Sequence, residues 1–193
     1  MIFGTISDKD ANQQVIDQIP GLNIHYNFLN KEEESYLIDI IDSLNWIDNL
    51  SHRSQYYGFE YKYNKKFVSY KDYKGELPST LNFIKDKLNM DYNQLVIDEY
   101  KNNEGMRSHT ESDIYDSNII LCPLGSDCIM TFEGDGIKHT ILLKRRSLIV
   151  MGAESRYRFK HGIPFNKTDK FNNRKIKRDG RRLLMTFRNV KLL

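Results

Sequence analysis

The sequence predicts an α+β fold, with helices first and a β core after them. Two observations carry this. Before residue 90, apolar residues recur at helical spacing in two segments. From residue 94 onward, short apolar-rich segments alternate with glycine-bearing turns. A chain of 193 residues suits one domain with its own core. Residues 1–20 are polar with little pattern and are expected to form an irregular lead-in, leaving 21–193 as a single domain.

The first helix is predicted from its cap and its stripe. Asn30 stands at an N-cap with Glu33 three residues on, the pattern of a capping box. Leu37, Ile40, Ile41 and Leu44 follow at i, i+3, i+4 and i+7. Pro78-Ser79 opens a second helix, with Leu81, Ile84 and Leu88 on one face. The tyrosine- and lysine-rich stretch between them, residues 46–78, is expected to form strands and turns.

Seven strands are then expected: Gln94–Tyr100, Ser117–Cys122, Cys128–Phe132, Lys138–Leu143, Ser147–Met151, Arg156–His161 and Arg182–Val190. Gly125-Ser126, Gly134-Asp135-Gly136 and Gly162 punctuate them. Short strands at this spacing suit a sandwich, barrel or jelly roll.

Charge is unevenly placed. Residues 1–143 hold 13 Lys and Arg against 23 Asp and Glu, whereas residues 144–193 hold 16 against 3. The cluster Arg174, Lys175, Lys177, Arg178, Arg181 and Arg182 suits a polyanion or a solvated loop. No apolar run approaches the ~18 residues of a membrane span. The first residues lack the basic flank and apolar core of a secretion signal. Cys122 and Cys128 sit inside apolar runs and read as buried, reduced thiols. The expectation is an intracellular protein, cytoplasmic or nuclear, monomeric and without membrane contact.

The chemistry-bearing residues are few. His109 and Glu111 stand two apart, so in extended chain they point the same way. His161 ends a predicted strand 50 residues later. Two histidines and one carboxylate make the facial set that binds Fe(II) with positions left open; taken alone, the same spacing also fits a surface pair in a polar loop. In the last strand, Arg182, Leu184, Thr186 and Arg188 share one face, and Leu183, Met185 and Phe187 the other. The two arginine Cα atoms would lie about 20 Å apart on a straight strand, so they form either an interior anion site or two exposed charges on an edge.

In order along the chain stand Tyr100, His109-x-Glu111, Leu124-Gly125-Ser126, Arg146-Ser147-Leu148, Glu154-Ser155-Arg156-Tyr157, His161-Gly162-Ile163, Arg182 and Thr186-Phe187-Arg188. On these motifs the chain resembles the AlkB-like dioxygenases, which use Fe(II) and 2-oxoglutarate, over about residues 20–190. The stretch from Arg145 to Ile163 is most similar to the subgroup that includes the tRNA wobble-uridine hydroxylase. His52-Arg53 and Tyr57-Gly58-Phe59 resemble that subgroup's substrate lid.

The resemblance implies a double-stranded β-helix, a jelly roll with the metal in one mouth. It implies that His109, Glu111 and His161 hold iron, and that Arg182, with the Tyr100 hydroxyl, takes the distal carboxylate of 2-oxoglutarate. Arg188 would serve the co-substrate's inner end. Molecular oxygen is then consumed, and an N-methyl group is removed or a base side chain hydroxylated in single-stranded or flipped DNA or RNA. Lid candidates are Trp46, Tyr56 and Tyr57, with Arg53 for phosphate and Asp113 as a substrate contact or alternative ligand.

Two departures stand out. The family's carboxylate ligand is usually Asp, here Glu111, and its two pocket asparagines are here Asp98 and Leu184. These departures leave open a catalytically weakened nucleic-acid-binding module on the same fold.

Overall fold

A computed structural model describes residues 6–48, 52–62, 66–178 and 180–192. In chain order the elements are α1 (Asp8–Ile16), β1 (Leu22–His25), α2 (Lys31–Ser43), β2 (Ile47–Asp48), β3 (Arg53–Gly58), α3 (Asn82–Leu88), β4 (Gln94–Tyr100) and β5 (Met106–His109). Then follow β6 (Ile119–Gly125), β7 (Cys128–Gly134), β8 (Ile137–Leu143), β9 (Leu148–Met151), α4 (Ala153–Tyr157), β10 (Lys160–Ile163), β11 (Thr168–Phe171), β12 (Arg174–Lys177) and β13 (Arg182–Arg188).

Among the described residues, the strands form a large sheet in the order β1-β9-β6-β13-β4-β3-β2 and a smaller one in the order β5-β10-β7-β8. The chain crosses between the two sheets as it runs from β4 to β13, the winding of a jelly roll. All pairings in both sheets are antiparallel.

The large sheet divides the core. On its outer side, Leu37, Ile40 and Ile41 of α2 and Ile84 and Leu88 of α3 pack against Leu95, Ile97, Leu183, Met185 and Phe187. On its inner side, Tyr100, Ile119, Leu121, Ile149 and Leu184 face Met130, Phe132 and Ile141 of the small sheet. The alternation of β13 therefore does what its sequence predicts: odd positions bury against helices, and even positions look into the space between the sheets.

Local signals account for the helix ends. The Asn30 side chain accepts from Glu33 N–H at 2.8 Å, and Glu33 accepts from Asn30 N–H at 2.8 Å, so two otherwise orphaned donors are satisfied. The second predicted helix is a 3₁₀ turn, Ser79–Leu81, running into α3.

Four elements depart from the sequence reading. The expected lead-in carries α1, capped by Ser7 and anchored by buried Asn12, whose amide bonds both Leu142 backbone groups. Its helical stripe is too polar to be legible. Arg156–His161 is not one strand: the segment splits into α4 and β10, because Arg156 is buried on backbone carbonyls rather than turned to a sheet face. The strand β5 was not expected; His109 is its last residue. Finally, the basic segment 174–182 is not a solvated loop. Residues 168–177 form the β11–β12 hairpin, with the registers Thr168↔Lys177 and Phe171↔Arg174.

Candidate active site

Three registers assemble the site. β10 pairs with β5 so that His161 lies opposite His109, and with β7 so that His161 lies opposite Phe132. β13 pairs with β4 so that Arg182 lies opposite Tyr100, Leu184 opposite Asp98 and Arg188 opposite Gln94. Gly162 permits the first of these. A Cβ there would stand 2.8 Å from Met106 O and 2.9 Å from Ser108 Cα, so only glycine lets the two backbones close.

His109, Glu111 and His161 each offer a ligand atom, and these atoms lie within 4.8 Å of one another. The imidazole centroids of the two histidines are 4.6 Å apart, and His161 Nε2 is 3.8 Å from Glu111 Oε1. His109 Nδ1 lies 2.9 Å from the Arg107 carbonyl. A carbonyl only accepts, so Nδ1 carries the proton and Nε2 keeps its lone pair. Burial drives the His161 pKa down to about 4, so at pH 7 this ring is neutral and able to ligate. Its Nδ1 is buried with no hydrogen-bond partner among the described residues.

Glu111 is held from the other side. Arg188 Nη2 donates to Oε1 at 2.7 Å and Nε to Oε2 at 3.1 Å. Burial pushes the Glu111 carboxyl up, but Arg188, with help from the two histidines, outweighs it and the net direction is down. The extra methylene of glutamate is what lets one carboxylate meet both Arg188 and the histidine pair. The turn that follows it is stapled by Arg156, whose guanidinium donates to the carbonyls of Ser112, Tyr115 and Asp116 at 2.8–2.9 Å.

Arg182 stands at the far end of the same strand. It is buried, and its Nη2 donates to Lys101 O at 2.9 Å and Glu104 O at 2.5 Å. Among the described residues Nε and Nη1 are buried without an oxygen or nitrogen partner, and the Cys128 thiol lies beside the guanidinium. Buried donors are almost always satisfied, so two free guanidinium N–H groups mark the place of an acceptor. The Tyr100 ring lies 5.5 Å from this guanidinium, and burial keeps its hydroxyl protonated by pushing the pKa up. The Cys128 thiol is raised by burial as well, and both cysteines are free and buried, as expected.

A cavity of about 410 Å³ opens beside His109, Tyr100 and Arg188, and is also lined by His52, Tyr56 and Asp98. Beside it, a mouth of about 440 Å³ is lined by Tyr61, Thr110, Glu111, Ser112, Asp113 and Tyr157. Tyr56 lines the cavity and Asp113 the mouth; among the described residues Asp113 does not belong to the ligating group.

Other expected residues go elsewhere. Arg53 and Tyr57 share the opposite face of β3. Arg53 binds Glu99 and covers Trp46 at 4.4 Å, while the Tyr57 hydroxyl donates to Gln55 at 3.0 Å beneath the helices. With period 2 along a strand, Tyr56 facing the cavity forces its neighbour Tyr57 away from it. The basic cluster is likewise largely spent on the fold. Arg174 pairs with Asp8, Arg178 with Asp169, and Arg181 with Asp42 and Glu99, leaving Lys175 and Lys177 exposed. His52, which the sequence resemblance placed with Arg53 in the substrate lid, lines the cavity and stacks on Tyr100 with centroids 5.1 Å apart. Its signal was its position two residues before Ser54 on the inner face of β3.

The 2OG-Fe(II) oxygenase superfamily profile matches residues 22–188, and the chain belongs to that superfamily. Its nearer kinship is to AlkB-like proteins. It is 30% identical to the Arabidopsis thaliana alkylated DNA repair protein ALKBH8 homolog, over 90% of this chain and 59% of that one. It is 32% identical to the tRNA (carboxymethyluridine(34)-5-O)-methyltransferase ALKBH8 of Macaca fascicularis, over 78% of this chain and 25% of that one. A DNA N6-methyl adenine demethylase of Caenorhabditis elegans is 26% identical over 76% of this chain and 55% of that one. The chain thus spans about three fifths of the first relative and a quarter of the second. Among solved structures, OsALKBH1 superposes with a TM-score of 0.65 at 14% identity, covering 88% of this chain and 98% of that one, which confirms the jelly roll.

Membership implies Fe(II) and 2-oxoglutarate, and the residues fit both. The cluster offers two imidazoles and a carboxylate, the donor set of a non-haem Fe(II) centre. The unpartnered N–H groups of Arg182 offer a fork for a carboxylate.

Proposed function

We propose that this chain oxidises a nucleobase in RNA or DNA, removing an N-methyl group or hydroxylating a base side chain. The observation that carries the proposal is the mouth beside the His109–Glu111–His161 cluster. It is rimmed by Tyr61 and Tyr157 and by the polar Thr110, Ser112 and Asp113, which suits a flat, hydrogen-bonding ring taken from a single strand or flipped from a duplex. The relatives named for a tRNA carboxymethyluridine and for DNA N6-methyl adenine act on the same substrate class.

Fe(II) with 2-oxoglutarate, when bound, supplies oxygen-dependent decarboxylation to succinate coupled to oxidation of a C–H bond. In this reading His109, Glu111 and His161 hold the metal. Arg188 fixes the Glu111 carboxylate, and Arg182 with the Tyr100 hydroxyl receives the distal carboxylate of the co-substrate. Tyr56 and Asp113 face the base, and Lys175 and Lys177 serve the phosphate backbone. The chain acts as a monomer inside the cell.

The test is succinate formation from 2-oxoglutarate with Fe(II) and oxygen, alone, with methylated single-stranded oligonucleotides, and with bulk tRNA. Stimulation by one nucleic acid is expected and names the substrate class. No succinate from folded, metal-loaded protein under any condition would transfer the reading to the weakened binding module.

A further inference from the structure

The floor of the cavity carries a charge that a dicarboxylate should avoid. Along the inner faces of β4 and β13 the paired positions run Tyr100/Arg182, Asp98/Leu184, Val96/Thr186 and Gln94/Arg188. Asp98 therefore lies between the arginine that offers free donors and the arginine that holds Glu111. A dianion held between Arg182 and the histidine cluster would share this inner face with the Asp98 carboxylate. Like charges a few ångströms apart in a partly buried site repel, so an uncompensated Asp98 weakens the binding of a dianion there.

His52 and Ser54 meet that charge. His52 Nε2 lies 3.2 Å from Asp98 Oδ1, and Ser54 Oγ donates to the same oxygen at 2.6 Å. The imidazole is stacked on Tyr100, with an interplanar angle of 29°, so its orientation is fixed by the residue that borders Arg182. His52 and Asp98 both line the cavity.

We infer that His52 is a positioning residue for the co-substrate: its imidazolium neutralises Asp98, and the pocket takes the 2-oxoglutarate dianion in that protonated form. The inference rests on the reading of this cavity as the co-substrate pocket. Among the described residues, the titratable and charged groups around His52 are Asp98 and Tyr100 on β4, Glu104 beyond it, and, lining the same cavity, Arg107 and His109 on β5 and Arg188 on β13. The bond to Asp98 raises the His52 pKa, and burial only partly opposes this. The sign follows directly. Below that pKa the pair is neutral and an anion binds; above it Asp98 is uncompensated and affinity falls, by at most about tenfold per pH unit for one proton. Binding the dianion stabilises the imidazolium further, so it takes up a proton.

The experiment is calorimetric titration of 2-oxoglutarate into oxygen-free, Mn(II)-loaded protein from pH 6.0 to 8.5, in two buffers of different ionisation heat. Metal occupancy is checked at each pH. The wild type is expected to lose about tenfold in affinity across the range and to take up a fraction of a proton near the His52 pKa. His52→Gln should bind weakly and without pH dependence. Asp98→Asn should bind tightly and without pH dependence, and the double variant should recover most of that affinity. Flat binding by the wild type, or an unchanged pH slope in Asp98→Asn, overturns the inference alone. No binding at any pH overturns the co-substrate reading and this inference with it.

Discussion

Arg178 and Arg182 are four residues apart, both are buried, and both reach the carbonyl of Glu104. They end in opposite states. Arg178 is saturated: Nε and Nη2 bind Asp169 at 2.6 and 2.7 Å, and Nη1 donates to Pro164 O at 2.6 Å. Asp169 spends its remaining capacity on the Ile129 N–H. Among the described residues, Arg182 Nε and Nη1 meet no oxygen or nitrogen, only the neighbouring Cys128 thiol. A folded chain rarely leaves buried donors empty, so the first arginine is a structural tie and the second is a socket. Sequence cannot make that distinction, because both are arginines of one basic cluster.

The largest effect that sharpens this contrast lies at the metal cluster. His161→Ala or His109→Ala should cost more than about a hundredfold in metal affinity, beyond the range for outer-shell partners, and should abolish turnover with the fold intact. Equilibrium dialysis with Mn(II), circular dichroism and the succinate assay check all three. Unchanged metal binding in either variant would refute the ligand assignment.

The two arginines themselves should separate next. Arg178→Ala strands Asp169 in the core and is expected to cost about 3–5 kcal/mol of stability, seen as a large fall in Tm. Arg182→Gln should leave the Tm nearly unchanged but weaken 2-oxoglutarate binding by about a hundredfold, the scale of losing a charge-assisted fork. If Arg182→Gln destabilises as much as Arg178→Ala, the socket is only another tie.

A smaller effect is expected for Glu111→Asp. The shorter side chain cannot reach Arg188 and the histidines at once, and metal affinity should drop by about tenfold. Tighter binding in this variant would show that the glutamate is merely tolerated. Least of all should happen with Arg53→Ala. Its partner Glu99 is on the outer face and also meets Arg181, so stability should change by less than about 1 kcal/mol and uncoupled succinate formation not at all. A large loss of turnover would return Arg53 to the substrate side.

The sequence by itself determined the parts whose signal is local. The capping box at Asn30 and Glu33, the stripe from Leu37 to Ile41, the strand Gln94–Tyr100 and the two-faced pattern of β13 depend on neighbours within a few residues, and each was legible. Order and spacing also singled out His109, Glu111 and His161, which the fold brings together. Tertiary structure alone decided which charges serve the fold and which serve the cavity. Arg53 and Tyr57 against Tyr56, Arg178 against Arg182, and the pairing of His52 with Asp98 46 residues away all turn on strand register and on which buried donors find acceptors. Register is set by pairing between distant segments, and satisfaction of a polar group by whatever that pairing brings within 3 Å. Neither quantity is carried by the identity of the residue, which is why an arginine in the sequence is only a charge and in the fold is either a tie or a binding group.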